Sequence, residues 1–91
     1  AKVPTLAGVG GAIEGGMLTG GAARNRSYLE SLVDYGRASD AERAVLVDPQ
    51  TSGGLFVAVP PSKAGDYLGR VPGAVVIGEV LTRGERAIVI V

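Results

Sequence analysis

Apolar side chains recur at intervals of three and four residues in four parts of the chain, the spacing that places them on one face of an α-helix. These parts are residues 3–17, 27–36, 39–45 and 62–71. The pattern therefore predicts four helices, the last of them capped by Ser62. Glycines within the first helix disfavour the helical state, so that helix is expected to depend on packing against a neighbouring element.

Residues with strong preferences for helix ends set the expected boundaries. Ser27 and Ser39 are each followed by glutamate three residues later, which is the spacing of a capping box. Paired glycines in residues 18–26 predict a loop before the second helix. The third helix is expected to end before Asp48-Pro49, because proline disfavours helical geometry in the residue that precedes it.

Three runs rich in apolar and β-branched residues predict the strands of a sheet. Leu55–Val59 is continuously apolar, as expected for a strand buried on both faces. After a turn at Pro72-Gly73, Ala74–Leu81 and Arg86–Val91 are expected to pair as a hairpin through residues 82–85. The predicted fold class is α+β, with a small, mainly antiparallel sheet covered by helices.

The composition fits one small globular unit. The chain has 91 residues, of which 46% are hydrophobic, 20% charged and 4% aromatic. A chain of this length builds a single modest core, and its side chains are expected to be aliphatic because aromatic residues are scarce. No internal repeat or linker divides the sequence, so residues 1–91 are interpreted as one unit.

Charge and residue types exclude several classes of function. Nine basic and nine acidic residues cancel, so no net charge attracts the chain to nucleic acid or to an anionic membrane. The sequence contains neither cysteine nor histidine, which removes thiolate chemistry, thiolate metal sites and the usual general base. No apolar run is long enough to span a bilayer, and a cytoplasmic location is expected.

The densest group of candidate binding residues begins at Asp48. Thr51 and Ser52 provide hydroxyl groups, and Gly53 and Gly54 allow a ligand to approach backbone N–H groups closely. With the carboxylate of Asp48, this set is suited to a phosphate or to a magnesium-bound group. The same residue types also build ordinary tight turns, so a purely structural loop is the alternative.

Arg24 and Asn25 form a second candidate, at the end of the Gly-Gly-Ala-Ala-Arg-Asn stretch at residues 20–25. Arginine binds phosphate or carboxylate in bidentate fashion, and asparagine caps helices or contacts ligands. A solvated arginine beside a helix cap is the alternative for this stretch. Neither candidate identifies a ligand by itself.

Four segments of the chain occur in the order found in a known family: residues 3–14, 20–26, 48–55 and 77–80. Through them the sequence resembles the C-terminal region of selenophosphate synthetases, also called selenide, water dikinases. The resemblance covers essentially the whole chain. Its most specific part is Asp-Pro-Gln-Thr-Ser-Gly-Gly-Leu at residues 48–55.

The resemblance implies an ATP-dependent phosphotransferase that makes selenophosphate, the selenium donor for selenocysteine and selenium-modified tRNA. It also implies the fold of the aminoimidazole ribonucleotide synthetase superfamily. There, an N-terminal α/β domain forms a homodimer and holds ATP and Mg²⁺, and a C-terminal α+β domain covers the site. Family members carry a reactive cysteine or selenocysteine and a lysine in an N-terminal segment that this chain does not match.

On this resemblance, the chain is an incomplete C-terminal domain. Its upstream strand, the acidic metal-binding segment and the N-terminal domain are expected to precede Ala1. No catalytic residue and no metal ligand is therefore assigned here, and the chain alone is predicted to be inactive and to bind neither ATP nor Mg²⁺ tightly. The residues expected to lie nearest the phosphates are Arg24, Asn25, Thr51, Ser52, Gly53 and Gly54.

Two other functions remain open from the sequence. One is a stand-alone module that uses an exposed sheet face to self-associate or to bind a partner without catalysis. The other is a domain of a sister enzyme of the same superfamily, acting on thiamine phosphate or on a carbamoyl group for hydrogenase maturation. The block at residues 48–55 disfavours the sister enzyme.

Overall fold

Four helices are formed by the part of the chain that the structure describes. The computed structural model describes residues 3–50 and 52–91. The helices are α1, Val9–Glu14, α2, Gly20–Leu29, α3, Asp40–Val47, and α4, Pro61–Arg70. No helix in these ranges has the length and the apolar character needed to cross a membrane.

Helix α1 is much shorter than the helix predicted over residues 3–17. Gly8 precedes it with a φ of 88°, and Gly16 follows it with a φ of 80°. These angles lie in the left-handed region, so the right-handed helix cannot continue through either residue. The apolar spacing on both sides of α1 therefore does not extend the helix.

Helix α2 corrects the loop predicted for residues 18–26. The hydroxyl oxygen of Thr19 accepts a hydrogen bond from the backbone N–H of Ala22 at 3.2 Å, which is the geometry of a helix N-cap. The helix therefore starts at Gly20, well before the Ser27 start that the sequence predicts. It also ends earlier than predicted, at Leu29.

Helix α3 confirms the capping box predicted from Ser39 and Glu42. The Ser39 hydroxyl accepts from the backbone N–H of Glu42 at 3.3 Å, and the Glu42 carboxylate accepts from the backbone N–H of Ser39 at 2.8 Å. Two N–H groups that the helix cannot satisfy internally are thereby paired. The helix ends at Val47, before Asp48-Pro49, as predicted.

The capping box should make the stability of α3 depend on pH. Hydrogen bonds from the Ser39 backbone and then from its hydroxyl lower the pKa of Glu42 below its usual value of 4.5. Because the folded-state pKa is lowered, the stabilisation is present above the unfolded-state pKa and is lost as pH falls through the folded-state value.

We expect Glu42→Gln to remove this dependence, since glutamine keeps the hydrogen-bonding shape but does not titrate. The measurement is the amide chemical shift of Ser39 followed by NMR from pH 7 down to about pH 2.5, below the ordinary glutamate pKa. An acid transition of the same size in Glu42→Gln would assign the titration to another group.

Helix α4 begins one residue earlier than its predicted cap. Pro60 occupies the N-cap position without a side-chain hydrogen bond, and Pro61 is the first helical residue. Proline is suited to that position because its fixed φ is helical and its missing N–H would be unpaired there. Ser62 therefore lies inside the first turn and is not the cap, whereas the turn at Pro72-Gly73 is confirmed by a φ of 81° at Gly73.

The sheet consists of two short parallel strands, β1, Val33–Asp34, and β2, Ile88–Val89. Val33 is aligned with Ile88 and Asp34 with Val89. Backbone N–H groups in and beside β2 donate hydrogen bonds to carbonyl groups in and beside β1. One example is the 2.8 Å bond from Ile90 to Asp34. The pairing is parallel, so the prediction of a mainly antiparallel sheet is wrong.

The other predicted strands are not formed within the described residues. Leu55–Val59 has no strand pairing, and Leu55 and Phe56 are 93% and 79% exposed, so this run is not buried on both faces. Residues 74–81 are also outside any strand, and the hairpin predicted through residues 82–85 is absent. High β-preference identifies residues suited to a sheet, but pairing requires a partner strand.

Arg86 connects the strand β2 region to the end of α2. Its guanidinium donates to the Ser31 carbonyl at 2.6 Å and lies 3.5 Å from the Glu30 carbonyl. Carbonyl groups at a helix C-terminus lack internal partners and carry partial negative charge. Arg86 therefore places a positive charge, which is the favourable sign, just beyond the C-terminus of α2.

The buried hydrophobic residues among those described are Ala22, Val33 and Val47. They are aliphatic, as the composition predicts. The closest helix packing is of α3 against α1 and α2. No described helix packs broadly over β1 and β2, so the α+β class is confirmed while the expected cover of helices over the sheet is not.

Candidate functional site

The structure brings the two candidate motifs together at one face of α2. Residues 47–49, which lead into the polar run beginning at Asp48, lie along this helix. Gly21 lies so close to Pro49 that an added Cβ would be 2.7 Å from the proline Cγ. The absence of a side chain at Gly21 therefore permits the close approach of the two segments.

Asn25 fixes the end of α3. Its side-chain Nδ2 donates a hydrogen bond to the backbone carbonyl of Val47 at 2.8 Å, in a partly buried position. Val47 is the last residue of α3, where helical carbonyls need partners from outside the helix. The amide of Asn25 is thus engaged with the protein itself. It lies at the base of the candidate loop, the segment that follows Pro49 and carries Ser52, Gly53 and Gly54.

Thr19 makes a second connection between α2 and the candidate loop. While its hydroxyl oxygen caps α2, its hydroxyl hydrogen is donated to Oδ1 of Asp48 at 3.1 Å. Thr19 was not among the site residues predicted from the sequence. Threonine is a preferred N-cap residue, and Thr19 directly precedes Gly20. The prediction of a loop over residues 18–26 gave no weight to this preference.

The candidate loop itself is turned sharply and open to solvent. The backbone N–H of Gln50 donates to the Asp48 carbonyl at 2.9 Å. A Cβ added to Gly53 would lie 2.9 Å from Oε1 of Gln50, so the glutamine side chain lies over this glycine. Ser52, Gly53 and Gly54 are exposed, and the predicted site residue Thr51 lies outside the described residues.

Arg24 is exposed on α2 and does not share the contact made by Asn25. Consecutive residues are about 100° apart around a helix axis, which separates the two side chains. Arg26 lies 4.0 Å from Asp40, both largely exposed, whereas Arg24 has no ion pair with another described residue. The guanidinium of Arg24 is consequently available to an anion from outside residues 3–50 and 52–91.

An open depression of about 360 Å³ lies elsewhere, between α1, α2 and α3. Its lining combines apolar residues with three charged ones: Ile13, Glu14, Leu18, Arg26, Asp40, Ala41 and Ala44. None of the predicted site residues that the structure describes lines it. Within the described ranges no three Asp, Glu, His or Cys side chains are grouped to hold a metal ion.

Comparison with known proteins relates the chain to several proteins that share one name. No family model matches the chain, and no solved structure matches it. A selenide, water dikinase of Trichlorobacter lovleyi is 38% identical over 98% of the chain, and one of Citrifermentans bemidjiense is 40% identical over 100% of it. A third, of Clostridium botulinum, is 36% identical over 98%. By sequence, the chain is a relative of the selenide, water dikinases.

The predicted resemblance to selenide, water dikinases is thereby confirmed. The chain spans 27% of the length of each of these three relatives, and the matched part is a C-terminal part of them. The relationship includes both α2 and the loop after α3, since nearly all of the chain is aligned. The contacts of Thr19, Gly21 and Asn25 thus lie within a region related to selenide, water dikinases.

Proposed function

We propose that the chain is the C-terminal accessory part of an ATP-dependent selenide, water dikinase that makes selenophosphate for selenocysteine and selenium-modified tRNA synthesis. The observation that carries this proposal is the similarity to several proteins of that name over 97% or more of the chain in the longest matches. In this proposal the catalytic chemistry belongs to the parent protein.

The proposed contribution of this part is to contact phosphate groups. Ser52, Gly53 and Gly54 offer exposed hydroxyl and backbone N–H donors, and Arg24 offers a guanidinium. Donors of this kind suit phosphate oxygens. Asn25 and Thr51 are retained in the proposed site, Asn25 because its α2 position adjoins the base of the loop, and Thr51 from its place in the polar run.

Magnesium and most of the contacts to ATP are assigned to the rest of the parent enzyme. The described residues offer no cluster of carboxylates, whereas Mg²⁺ is held by oxygen ligands that include carboxylates and phosphates. The donors of the candidate loop fit the phosphates of ATP better than they fit a metal ion. ATP and Mg²⁺ are therefore proposed as cofactors of the parent, with this chain facing the nucleotide.

The proposed partner is the N-terminal ATP-binding domain of the same protein, in a parent that is a homodimer with an aminoimidazole ribonucleotide synthetase-like fold. Exposed apolar side chains support a covering partner, among them Leu55, Phe56, Val80 and Leu81, because large apolar patches on a protein surface mark interaction sites. A cytoplasmic location, where ATP is available, belongs to the same proposal.

Replacement of Arg24 by alanine in the full-length protein tests the proposed phosphate contact. A lost hydrogen-bonded ion pair with a phosphate is expected to raise the KM for ATP roughly tenfold or more in selenide-dependent turnover. Arg83→Ala is the matched control, since Arg83 is also exposed but lies outside the candidate site. Unchanged turnover and KM in Arg24→Ala would show that this side chain does not bind the nucleotide.

A second candidate function is that of a module that self-associates or binds a partner without catalysis. The exposed apolar side chains named above favour it as well. Light scattering of the purified chain separates the two candidates. A stable dimer would favour the module, and a clean monomer would count against self-association.

A further inference from the structure

We propose that Thr19 is a positioning residue that sets the orientation of the loop that follows Asp48-Pro49 and carries Ser52, Gly53 and Gly54. This inference rests on the proposed function, since it assigns the loop to phosphate binding. Among the described residues, the side-chain hydrogen bonds of Thr19 are with Ala22 and Asp48 and not with the loop itself. Its effect is exerted through the carboxylate at the base of the loop.

The hydrogen-bond roles at Thr19 leave little freedom. The backbone N–H of Ala22 can only donate, so the threonine oxygen must accept at that contact. The single hydroxyl hydrogen is then available to Oδ1 of Asp48, 3.1 Å away. One hydroxyl group therefore fixes both the start of α2 and the direction of the Asp48 side chain.

The contacts along α2 hold three consecutive residues of the other segment. Val47 is held by the amide of Asn25, Asp48 by Thr19, and Pro49 by its close approach to Gly21. The N-terminal end of α2 carries partial positive charge, which favours the carboxylate of Asp48 near its N-cap. Of these contacts, that of Thr19 is the one hydrogen bond to a side chain at the start of the turn.

Fixing the base of this loop matters for binding because the loop contains two adjacent, flexible glycines. Glycine loses more backbone freedom on ordering than any other residue, so the Gly53-Gly54 pair is costly to hold in one binding conformation. A fixed entry to the loop reduces the conformations that must be lost when phosphate binds. Loosening the base should thus weaken nucleotide binding more than it slows the chemical step.

The test compares Thr19→Val, Thr19→Ser and Thr82→Val in the full-length protein. Valine has nearly the shape of threonine but no hydroxyl, serine restores the hydroxyl, and Thr82 is an exposed threonine outside the candidate site. Two measurements are made on each variant. The first is hydrogen exchange by mass spectrometry of peptides spanning residues 45–50, in which the N–H groups of Asp48 and Gln50 are hydrogen-bonded. The second is KM for ATP and kcat in selenide-dependent turnover.

We expect Thr19→Val to raise both the exchange of residues 45–50 and the KM for ATP by about three- to tenfold, with a smaller change in kcat. Thr19→Ser keeps the hydroxyl, so its exchange and its KM for ATP should stay near those of the unmodified protein. Thr82→Val should change neither the exchange nor the KM. The recovery with serine separates loss of the hydroxyl from general destabilisation.

Unchanged exchange in Thr19→Val would overturn the positioning role, whatever the activity. Raised exchange with an unchanged KM would overturn the link to nucleotide binding and leave the proposed function standing. Absence of selenide-dependent turnover in the unmodified full-length protein would reject the proposed function and with it that link, while the exchange data would still decide whether Thr19 holds the loop.

Discussion

Replacing Gly36 with alanine should lower the free energy of unfolding by about 2 to 3 kcal/mol. Gly36 has a φ of 48°, in the left-handed region that disfavours residues with a Cβ. An added Cβ would also lie only 2.5 Å from the carbonyl oxygen of Ile90. Since Ile90 donates its N–H to Asp34 in β1, relief of this clash requires the two strands to separate.

Chemical denaturation of the full-length protein measures this loss, and Gly73→Ala is the matched control. Gly73 has a φ of 81°, but an added Cβ there has no neighbour within 4 Å among the described residues. Gly73→Ala should therefore show only the backbone cost, about 1 to 2 kcal/mol. Equal losses in the two variants would mean that the contact with Ile90 does not matter.

Replacing Gly21 with alanine should weaken both stability and nucleotide binding. Alanine favours a helix by up to about 1 kcal/mol over glycine, but the added Cβ would be 2.7 Å from Cγ of Pro49. Overpacking of this kind costs about 1 to 3 kcal/mol, and the proline ring cannot rotate away as a flexible side chain would. Displacement of Pro49 should move the loop that follows and raise the KM for ATP several-fold.

Gly20→Ala is the control for this substitution, because it adds the same methyl group one residue earlier in α2. An added Cβ at Gly20 has no neighbour within 4 Å in the part of the chain that the structure describes, so this variant should be unchanged in KM and more stable by up to about 1 kcal/mol. The two variants are compared by urea denaturation and by steady-state kinetics. Stabilisation by Gly21→Ala of the same size would show that α2 does not pack on Pro49 in solution.

Local signals in the sequence predicted some helix ends and missed others. The capping box of Ser39 and Glu42 forms as predicted, whereas the same spacing at Ser27 and Glu30 does not start a helix, because Thr19 caps α2 earlier in the chain. The stop before Asp48-Pro49 also depends on adjacent residues. For α2, the glycines at its start were given more weight than the N-cap preference of Thr19, although a first helical turn tolerates flexible residues once a cap holds it.

The pairing of strands could not be obtained from local preference. The apolar run at Leu55–Val59 has the composition of a buried strand, but the described part of the chain provides no strand beside it. The turn residues at 82–85 suggested a hairpin, whereas β2 pairs in parallel with β1. Parallel strands are joined by long connections, and nothing in a short window of sequence specifies such a partner.

The residues of the candidate site could be chosen from the sequence. The hydrogen bonds that connect them could not. Resemblance to the family predicted that the Asp48 loop and the Arg24-Asn25 pair belong to one site. The hydrogen bond from Asn25 to Val47 spans 22 residues of sequence, so it follows from the tertiary arrangement of α2 and α3. That Ser52, Gly53 and Gly54 bind phosphate stays a prediction.

The contact of Arg86 with the end of α2 sets an order of events during synthesis of the chain. Arg86 is 55 residues away from Ser31, whose carbonyl it binds. Ribosomes add about 5 to 20 residues per second, so this distance corresponds to roughly 3 to 11 seconds of translation. Throughout that interval Val33 and Asp34 lack β2, their partner strand among the described residues, while α2 and α3 can already dock through Asn25. The nascent protein should therefore acquire its helical half first and close its sheet last.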